Sequence, residues 1–593
     1  MSEATAPDSI SAAMAGSGSG ARPWLAGSGV IAALVAAPVI GLIIIALRGS
    51  GDLWPHLLAY VFPQTLADTF ILLTGVGILV MTIGTGMAWL LTAYEFPGRR
   101  IFEWALLLPL AVPTYIIAFA YLDLLHPVGP VQTALRNLLG LTNPRDLWFP
   151  EVRSMAGCIF LLGIVLYPYV YISTRAMFLM QAGSILEAAR TLGAGRRRVF
   201  FQVALPLARP AIAAGTALAL LEALNDIGAS EFLGVQTMSV SIYATWISRS
   251  NLPGAAQIAL FMLLIVVSLI LVERWARRNQ RYVSMAQRTR RASPQKLNGW
   301  RACIAIALAS VPVFFGFVLP ALYLVDQAVR RIGFAGISPQ IGREIFNTMS
   351  MAAVATAVAV ALGLVVAYAA RLSRAPFAGA CLRIASLGYA LPGTVLAIGV
   401  LAPLAALDNA VADFLQYAFG YSSGLLLTGT GAILIYVYVA RFLAISAGGV
   451  ESGMMKLSPS LDHAARTLGE TAGGVMRRVH LPLIRPALGA AALLIFVDCM
   501  KELPATLLLR PLNFETLATH LYGEAARGTY EDGAIAALCI VMVGLIPVIL
   551  LAKLSRRPAL AHDAQQTGPR NLVSAEAILL ASAPQDIPQT PQR

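Results

Sequence analysis

The sequence predicts an all-α, polytopic membrane protein with about twelve transmembrane helices in two homologous, parallel halves. Two observations predict this fold class. The composition is 58% hydrophobic and only 12% charged, which is far more apolar than a water-soluble domain. In addition, one segment occurs twice in the chain, 276 residues apart. A period of this length indicates a duplicated domain rather than a solenoid, and related halves are common in membrane transporters.

The repeated segment is EAARTLGAGRRRVFFQVALPLARPAI at 187–212 and HAARTLGETAGGVMRRVHLPLIRPAL at 463–488. Of the 26 paired positions, 14 are identical, and these include one glycine, two arginines and two prolines. Chance similarity between two apolar segments would not keep these residue types in register. The repeat therefore indicates a common origin for the two halves.

Crossing the hydrocarbon core takes about 20 apolar residues, and twelve such spans are predicted. Prolines at Pro109, Pro113 and Pro392 predict kinks within the third span of each half. The spans of the first half are 29–47, 66–94, 101–125, 155–172, 206–228 and 255–275, and those of the second half are 302–325, 345–370, 378–404, 425–445, 482–503 and 534–554.

Lysine and arginine are concentrated in the loops that follow the even-numbered spans, which predicts that these loops are cytoplasmic. The formal net charge of +13 is therefore interpreted as membrane topology and attraction to anionic lipid. Nucleic acid is not expected as a partner.

The segment before the first span is polar and rich in glycine, and it lacks the charged-then-apolar order of a cleaved signal peptide, so the first span is expected to be an uncleaved anchor. The five cysteines lie in or beside spans and the histidines are scattered, so neither a disulfide framework nor a metal site is expected.

The predicted organisation is a disordered cytoplasmic N-terminus at 1–27, a first half at 28–278 with a repeated loop at 184–206, a cytoplasmic linker at 279–300, a second half at 301–557 with a repeated loop at 460–482, and a cytoplasmic tail at 558–593.

Each repeated loop is amphipathic and should fold as a helix, a glycine break and a second helix. Ser184 and Glu187 form the pattern of a capping box at the start of the first helix, and Gly193 is placed to end it. Pro206 suits the first turn of the following span, because the missing N–H costs nothing there.

The motif of these loops is Glu-Ala-Ala at 187–189, then Gly193, then Leu205 and Pro206. It resembles the coupling loop of permease subunits of bacterial ABC importers. Stretches 112–136, 225–247 and 501–522 are in addition similar to the fused, two-lobed permeases of ferric iron importers, and the resemblance covers roughly 60–555.

In that family the short helix of the loop docks in a groove on a separate ATPase subunit. The resemblance therefore implies two ATPase subunits, a periplasmic substrate-binding protein and a location in the bacterial inner membrane. The residues that it places at the two docking sites are Glu187, Ala188, Ala189, Gly193, Leu205 and Pro206 in the first copy, and Asp462, His463, Ala464, Ala465, Gly469, Leu481 and Pro482 in the second.

The second copy departs from the family pattern, because His463 stands at the position of Glu187. If the glutamate pairs with a basic residue of the ATPase, that contact is in doubt in the second half unless Asp462 substitutes. The alternative for Glu187 is a purely local role as a capping residue.

The chain lacks a Gly-Lys dipeptide, so it has no phosphate-binding loop of the GxxxxGK[ST] type. ATP and its Mg²⁺ are therefore expected on a partner ATPase, with no cofactor bound by this chain. No nucleophile and base with catalytic spacing stand out, so the chain is not expected to be an enzyme.

The offset of 276 continues past the loops, where it pairs Glu222 with Asp498 and Asp226 with Glu502. A carboxylate at the centre of a span costs about 3 kcal/mol, so such residues are functional candidates. Lys501, three residues after Asp498, is placed to neutralise one of them. We weigh two interpretations: the five residues line the outer translocation pathway and favour cations, or they form salt bridges that stabilise the interface between the halves.

The sequence thus predicts the permease of an ATP-driven importer, with ferric iron as the expected substrate. One alternative is a permease for another small polar solute, of the aminoethylphosphonate or thiamine type. A second alternative is an ion-gradient carrier that uses the four intramembrane carboxylates as proton or sodium sites. The pathway residues by themselves do not distinguish ferric iron from another polar solute.

Overall fold

The computed structural model describes residues 8–180, 191–277, 294–373, 375–422 and 424–566. Within these residues, eleven helices are long and apolar enough to cross a membrane. A further pair of helices, Arg99–Ala111 and Thr114–Leu124, passes the same test together and is bent by 89°. The prediction of an all-α protein with about twelve spans is confirmed.

We number the spans 1 to 12 in chain order. Spans 1 to 6 are Ala21–Leu47, Leu53–Ala93, the bent pair, Met155–Met180, Arg197–Asn225 and Leu252–Trp275, and spans 7 to 12 are Trp300–Ala335, Pro339–Leu372, Gly393–Phe419, Ala432–Met455, Ala472–Met500 and Tyr530–Leu550. The shorter α-helices between them include Pro130–Leu139, Gly228–Phe232, Met238–Tyr243, Pro376–Leu387, Pro459–Thr467, Pro504–Leu509 and Leu517–Arg527. Two short strands, Tyr94–Glu95 and Gln295–Lys296, pair in parallel and bring the described end of the linker beside the end of span 2.

The predicted kinks occur at the residues that precede Pro113 and Pro392. Val112 is extended, with φ −107° and ψ 117°, and Leu391 is extended, with φ −77° and ψ 127°. A residue before proline is pushed out of the helical region by the proline ring, so the helix breaks there. As a result the predicted span 378–404 is in fact the helix Pro376–Leu387, a single 3₁₀ turn, and then span 9.

Span 10 begins at Ala432, whereas the apolar run from Leu425 predicted an earlier start. The carboxylate of Asp408, in the second half of span 9, explains the difference. It accepts hydrogen bonds from the backbone N–H groups of Leu426, Leu427 and Thr428 at 3.1, 2.8 and 2.7 Å. These bonds hold the apolar residues in a loop.

Equivalent contacts recur in the two halves. In the first half, the N–H of Met238 donates to the hydroxyl of Thr69 at 3.1 Å. In the second half, the N–H of Leu517 donates to the hydroxyl of Thr348 at 2.9 Å. The two contacts place spans 2 and 8 in register with an offset of 279 residues. The duplication in the sequence is therefore a duplication of the tertiary structure.

The first span of each half packs against the other half. The hydroxyl of Tyr436 in span 10 donates to the carbonyl of Leu34 in span 1 at 2.6 Å, and Tyr121 in span 3 donates to the carbonyl of Phe315 in span 7 at 2.7 Å. Spans 1 and 9 approach so closely that a Cβ atom on Gly41 would lie 2.1 Å from the carbonyl oxygen of Gly399. This exchange of first spans fixes the two halves against each other.

The helices at the two ends extend past the predicted segment boundaries. The helix that contains span 1 begins at Asp8, within the segment predicted as the N-terminus at 1–27. At the other end the helix that begins at Tyr530 continues to Gln566, past the predicted boundary at 557. In both cases helix propagation from an adjoining span overrides a weakly structured composition, because adding one residue to an existing helix is far easier than starting one.

Candidate functional site

The second coupling loop contains the predicted short helix and glycine break. The helix is Pro459–Thr467, and its N-cap residue Ser458 accepts a hydrogen bond from the N–H of Ser460. Gly469 follows with φ +86°, a left-handed conformation that glycine adopts without a steric penalty.

The first coupling loop is only partly described. Residues 181–190 lie outside the described residues, and with them Glu187, Ala188, Ala189 and the predicted capping box at Ser184. Gly193 is described and has φ +82°. The same left-handed glycine therefore occurs at the equivalent position of both loops.

The Leu-Pro pairs stand at the start of the α-helices Leu205–Asn225 and Leu481–Met500, as the sequence predicted, but helical backbone also continues without a break before them. A π turn precedes each pair, Phe200–Ala204 before Leu205 and Pro206, and Met476–His480 before Leu481 and Pro482. A proline within a helix removes one backbone hydrogen bond, and its ring clashes with the carbonyl four residues earlier. The wider π turn relieves that clash. Spans 5 and 11 thus begin at Arg197 and Ala472, whereas the sequence predicted starts at 206 and 482.

The second coupling helix has an exposed face. His463 and Ala464 are exposed, whereas Ala465 is buried against the rest of the half. Leu468 is 85% exposed, and its counterpart Leu192 in the first loop is 88% exposed. The sequence analysis missed these two leucines, although the identity of the two copies includes them. The same large apolar side chain is thus exposed at the equivalent position of both loops.

Asp462 does not share this exposed face. Its side chain is 22% exposed and contacts Arg371 of span 8 and His480 of span 11. If Asp462 substituted for Glu187 at the ATPase, it would have to give up these partners within its own chain.

A cavity of about 110 Å³ lies between the halves, at the ends of spans 5 and 11 that are remote from the coupling loops. The five residues predicted as pathway candidates all line it: Glu222, Asp226, Asp498, Lys501 and Glu502. Residues related by the duplication thus face each other across one chamber. Sequence reasoning missed other polar residues that line it, among them Asn225, Tyr169, Tyr389 and Arg441.

Glu222 and Asp498 are equivalent in sequence but have different partners. Glu222 accepts a hydrogen bond from the hydroxyl of Tyr389 at 2.9 Å, and it forms no salt bridge with any described residue. Asp498 forms a salt bridge of 2.8 Å with Lys501, as the sequence predicted. The position of Lys501 in the first half is occupied by the neutral Asn225.

Asp226 and Glu502 occupy a second equivalent pair of positions, and each binds the N-terminus of the short helix that follows its span. Asp226 accepts from the N–H of Ser230 at 2.9 Å and from the hydroxyl of Thr114. Glu502 accepts from the N–H groups of Ala505 and Thr506 at 2.9 and 3.0 Å. A carboxylate at a helix N-terminus satisfies unpaired N–H groups and complements the helix dipole.

Glu502 also forms a salt bridge of 2.8 Å with Arg441, and both side chains are almost completely buried. The position of Arg441 in the first half is held by Val165, which faces the same cavity. Each cation of the cavity therefore comes from the second half and is paired there. On the first-half wall, Glu222 and Asp226 form no salt bridge with any described residue.

The carboxylates do not converge into a metal cage. In the described part of the chain, no group of three or more His, Cys, Asp or Glu side chains is close enough to hold a metal ion.

Comparison with known proteins places this geometry in a family. A family described as binding-protein-dependent transport system inner membrane component matches residues 80–281. A putative 2-aminoethylphosphonate transport system permease protein of Salmonella paratyphi A is 31% identical over 33% of this chain and 68% of its own length. The chain belongs to this family.

Two other relatives are informative. An Fe(3+)-transport system permease protein of Haemophilus influenzae is 24% identical over 83% of this chain and 90% of its own length. A molybdenum transport system permease protein of Escherichia coli is 29% identical over 34% of this chain and 87% of its own length. The first relative thus matches both halves of this protein, whereas the second is about the size of one half.

Family membership settles several predictions. The chain is a permease of the bacterial inner membrane and not an enzyme, and permeases of this family work with an ATPase and a periplasmic binding protein. These findings favour the ATP-driven permease over the ion-gradient carrier.

Proposed function

We propose that this permease carries ferric iron, delivered by a periplasmic binding protein, into the cytoplasm. The observation that carries the proposal is the charge of the cavity between the halves. Four carboxylates and only two cations line it, and both cations are paired with a carboxylate of their own half. One relative that matches most of both halves is an Fe(3+)-transport permease.

Ferric iron is a hard, highly charged cation and prefers oxygen ligands. The first-half wall offers such oxygens at Glu222 and at the hydroxyl of Tyr169, and Tyr389 adds a hydroxyl from the second half. The side-chain oxygen of Asn225, which also lines the cavity, has no hydrogen-bond partner among the described residues. These groups give the cavity an attractive potential for a cation without enclosing it.

Of the two interpretations of the acidic residues, the pathway role then applies to one equivalent pair and the structural role to the other. Glu222 and Asp498 are the residues to which we assign the pathway, because neither binds a helix terminus. Asp226 and Glu502 are assigned to structure, because their oxygens are used by the short helices beside them.

Energy comes from two ATPase subunits, one at each coupling loop, with ATP and Mg²⁺ bound on those subunits. The exposed Leu192 and Leu468 support docking at both loops. Closure of the ATPase pair around ATP draws the loops together and shifts the permease from an inward-open to an outward-open state. The difference in the free energy of ATP binding between the two states sets how far this equilibrium can shift.

A second candidate is an anionic or zwitterionic solute that carries a phosphonate or oxyanion group. Arg441 and Lys501 in the cavity favour it, as do the aminoethylphosphonate and molybdenum permeases among the relatives. The pairing of both cations argues against it, since a paired cation has little charge left for a substrate.

Uptake by cells that express the permease with its ATPase and binding protein separates the two candidates. The cells receive ⁵⁵Fe(III) citrate, ⁹⁹Mo-molybdate or labelled 2-aminoethylphosphonate, and cells without the permease provide the background. The proposal expects permease-dependent accumulation of iron that excess molybdate or phosphonate does not reduce. Accumulation of an oxyanion or the phosphonate instead of iron would contradict it.

A further inference from the structure

We propose that Asp462 is a positioning residue that fastens the second coupling helix to spans 8 and 11, and that this fastening transmits ATPase movement to the second half. The fastening, here called the Asp462 link, consists of Asp462, Arg371 and His480. The first half carries uncharged residues at all three equivalent positions, so the two halves receive the movement differently.

The two carboxylate oxygens of Asp462 have different partners. Oδ2 accepts a hydrogen bond from Nε of Arg371 at 3.0 Å, and Oδ1 lies 2.5 Å from Nε2 of His480. Arg371 belongs to span 8 and His480 to the π turn of span 11. One side chain of the coupling helix therefore bridges two membrane spans.

Arg371 extends the link to the chain that enters the coupling helix. Its two terminal nitrogens donate to the carbonyls of Met454 and Leu457 at 2.6 and 3.3 Å. Met454 lies in the last turn of span 10. The guanidinium thus holds the end of span 10, the following turn and the coupling helix together with its fixed fork of donors.

Tyr368, one turn before Arg371, strengthens the same corner. Its hydroxyl donates to the carbonyl of Ala472 at the start of span 11, at 2.6 Å. Its ring meets the ring of His480 edge-on at 5.6 Å, an arrangement that aromatic rings favour. Spans 8 and 11 are therefore joined to each other as well as to the coupling helix.

Burial makes the link stiff. The side chains of His480, Arg371 and Asp462 are 1%, 15% and 22% exposed. Burial raises the pKa of Asp462, but the hydrogen bonds and charges of Arg371 and His480 outweigh burial, so its pKa lies below its ordinary value. The carboxylate is consequently ionised at neutral pH, and its attraction to Arg371 is stronger than that of an exposed pair.

The first half has different residues at each of these positions. The offset of 276 aligns Asp462 with Leu186 and His480 with Ala204, and the offset of 279 aligns Arg371 with Thr92. None of these three residues of the first half can carry a charge. An ionic link built from residues at these three positions is therefore possible only in the second half.

Tyr368 also has a different equivalent in the first half. The offset of 279 aligns it with Trp89, whose ring contacts the rings of Phe178 and Phe200 at 5.4 and 5.0 Å. The first half thus joins span 2 to spans 4 and 5 at this level through aromatic packing.

The competing role for Asp462 is direct contact with the ATPase. The geometry disfavours it, because both oxygens point to partners within the permease. The exposed surface of the second coupling loop is formed by other residues, namely His463, Ala464 and Leu468. Removal of the carboxylate should leave that surface intact.

The test compares Asp462→Asn with wild type in the assembled complex of permease, ATPase and binding protein. Three quantities are measured: co-purification of the ATPase, ATP hydrolysis stimulated by the loaded binding protein, and solute transported per ATP hydrolysed. Glu451→Gln, which removes an exposed carboxylate from the cytoplasmic end of span 10, is the matched control. A merely structural residue would change the yield of the complex but not the ratio of transport to hydrolysis.

We expect Asp462→Asn to retain the ATPase and to lower transport per ATP by at least about fivefold, the lower end of a typical allosteric coupling. Glu451→Gln should behave as wild type. Loss of ATPase co-purification from a folded Asp462→Asn permease would show a direct contact and overturn the proposal. An unchanged ratio of transport to hydrolysis would also overturn it.

A triple variant keeps the test decisive if Asp462→Asn fails to fold because it leaves Arg371 buried without its carboxylate. The changes Arg371→Thr, Asp462→Leu and His480→Ala install the residues of the first half and leave no buried charge unpaired. We expect this variant to assemble with the ATPase and to show the same loss of coupling. Wild-type coupling in the triple variant would refute the link.

Discussion

Glu222 of the first half and Tyr389 of the second half are joined by a hydrogen bond of 2.9 Å across the cavity. This contact brings no positive charge to Glu222, because the phenol donates a hydrogen bond but is neutral. The equivalent Asp498 is neutralised by Lys501 at 2.8 Å. Two carboxylates that the duplication made equivalent therefore present different potentials to a cation.

The first prediction follows from that difference. Glu222→Gln keeps the shape and the hydrogen bond to Tyr389 but removes one negative charge, so uptake of ferric iron should fall by at least about tenfold, since such a charge is worth a few kcal/mol in a partly buried site. Asp498→Asn should change uptake much less. Uptake is measured at equal amounts of assembled complex, and equal effects of the two variants would contradict the asymmetry.

The second prediction concerns the buried pair of Glu502 and Arg441. Glu502→Ala removes the partner of a buried cation and uncaps the helix Pro504–Leu509, so the folded state should lose about 3–5 kcal/mol. The measurement is the yield and melting temperature of the detergent-solubilised permease. Asp498→Ala is the control, because its salt bridge with Lys501 is less buried than the pair of Glu502 and Arg441 and should contribute less to stability. A stable Glu502→Ala permease would show that the pair is not structural.

The third prediction concerns the exposed leucines of the coupling loops. Leu468→Lys should weaken binding of the ATPase, because a charge would enter an apolar contact, and Leu192→Lys should do the same at the other loop. Leu512→Lys is the control, since Leu512 is 95% exposed on the opposite side of the permease. Co-purification of the ATPase is the readout. If the Leu468 and Leu512 variants retain equal amounts of ATPase, the exposed leucine is not part of the dock.

The fourth prediction uses the left-handed glycines of the two loops. Gly469→Val forces a β-branched residue into φ +86°, which costs of order 1–3 kcal/mol and redirects the chain after the coupling helix. Transport per ATP should fall while the membrane-embedded part stays folded. Gly489→Val places the same side chain at a helical glycine of span 11 with open space around it, and serves as the control. Normal coupling in the Gly469 variant would contradict a role for this turn.

The fifth prediction concerns pH. Burial lowers the pKa of His520, but its hydrogen bond with Glu344, at 3.0 Å, and the charge of that carboxylate outweigh burial, so the pKa lies above its ordinary value. A group whose pKa is raised on folding stabilises the protein fully below its unfolded pKa of about 6.5, and loses that contribution as pH rises through the folded pKa.

The melting temperature of the wild-type permease should therefore fall between about pH 6 and pH 9 by more than that of His520→Gln. The difference between the two proteins at each pH isolates this pair from other titrating groups. A difference that is constant across the range would show that His520 does not change charge there.

The fold was largely predictable because each span is a long apolar run and each kink has a proline. The positions of Val112 and Leu391 before proline determined where the third spans break. Span 10 was misplaced because the carboxylate of Asp408 holds apolar residues in a loop, and no local pattern signals a hydrogen bond to residues about 20 positions away.

The cavity was partly predictable for a different reason. The duplication places Glu222 and Asp498 at equivalent points of two similar halves, so they meet where the halves meet. Tyr389 and Arg441 were missed because their partners lie 167 and 61 residues away. The Asp462 link had one visible signal in the sequence. The second copy of the repeat carries Asp462 and His480 where the first carries Leu186 and Ala204.

The most direct test of the account is uptake into proteoliposomes that contain the permease and its ATPase, with the iron-loaded binding protein outside and ionophores collapsing all ion gradients. The account predicts that ⁵⁵Fe accumulates only when ATP and Mg²⁺ are enclosed, and that Glu222→Gln abolishes most of this accumulation. Iron uptake that stops when gradients are collapsed, or ATP-dependent uptake of molybdate or phosphonate in place of iron, would contradict it.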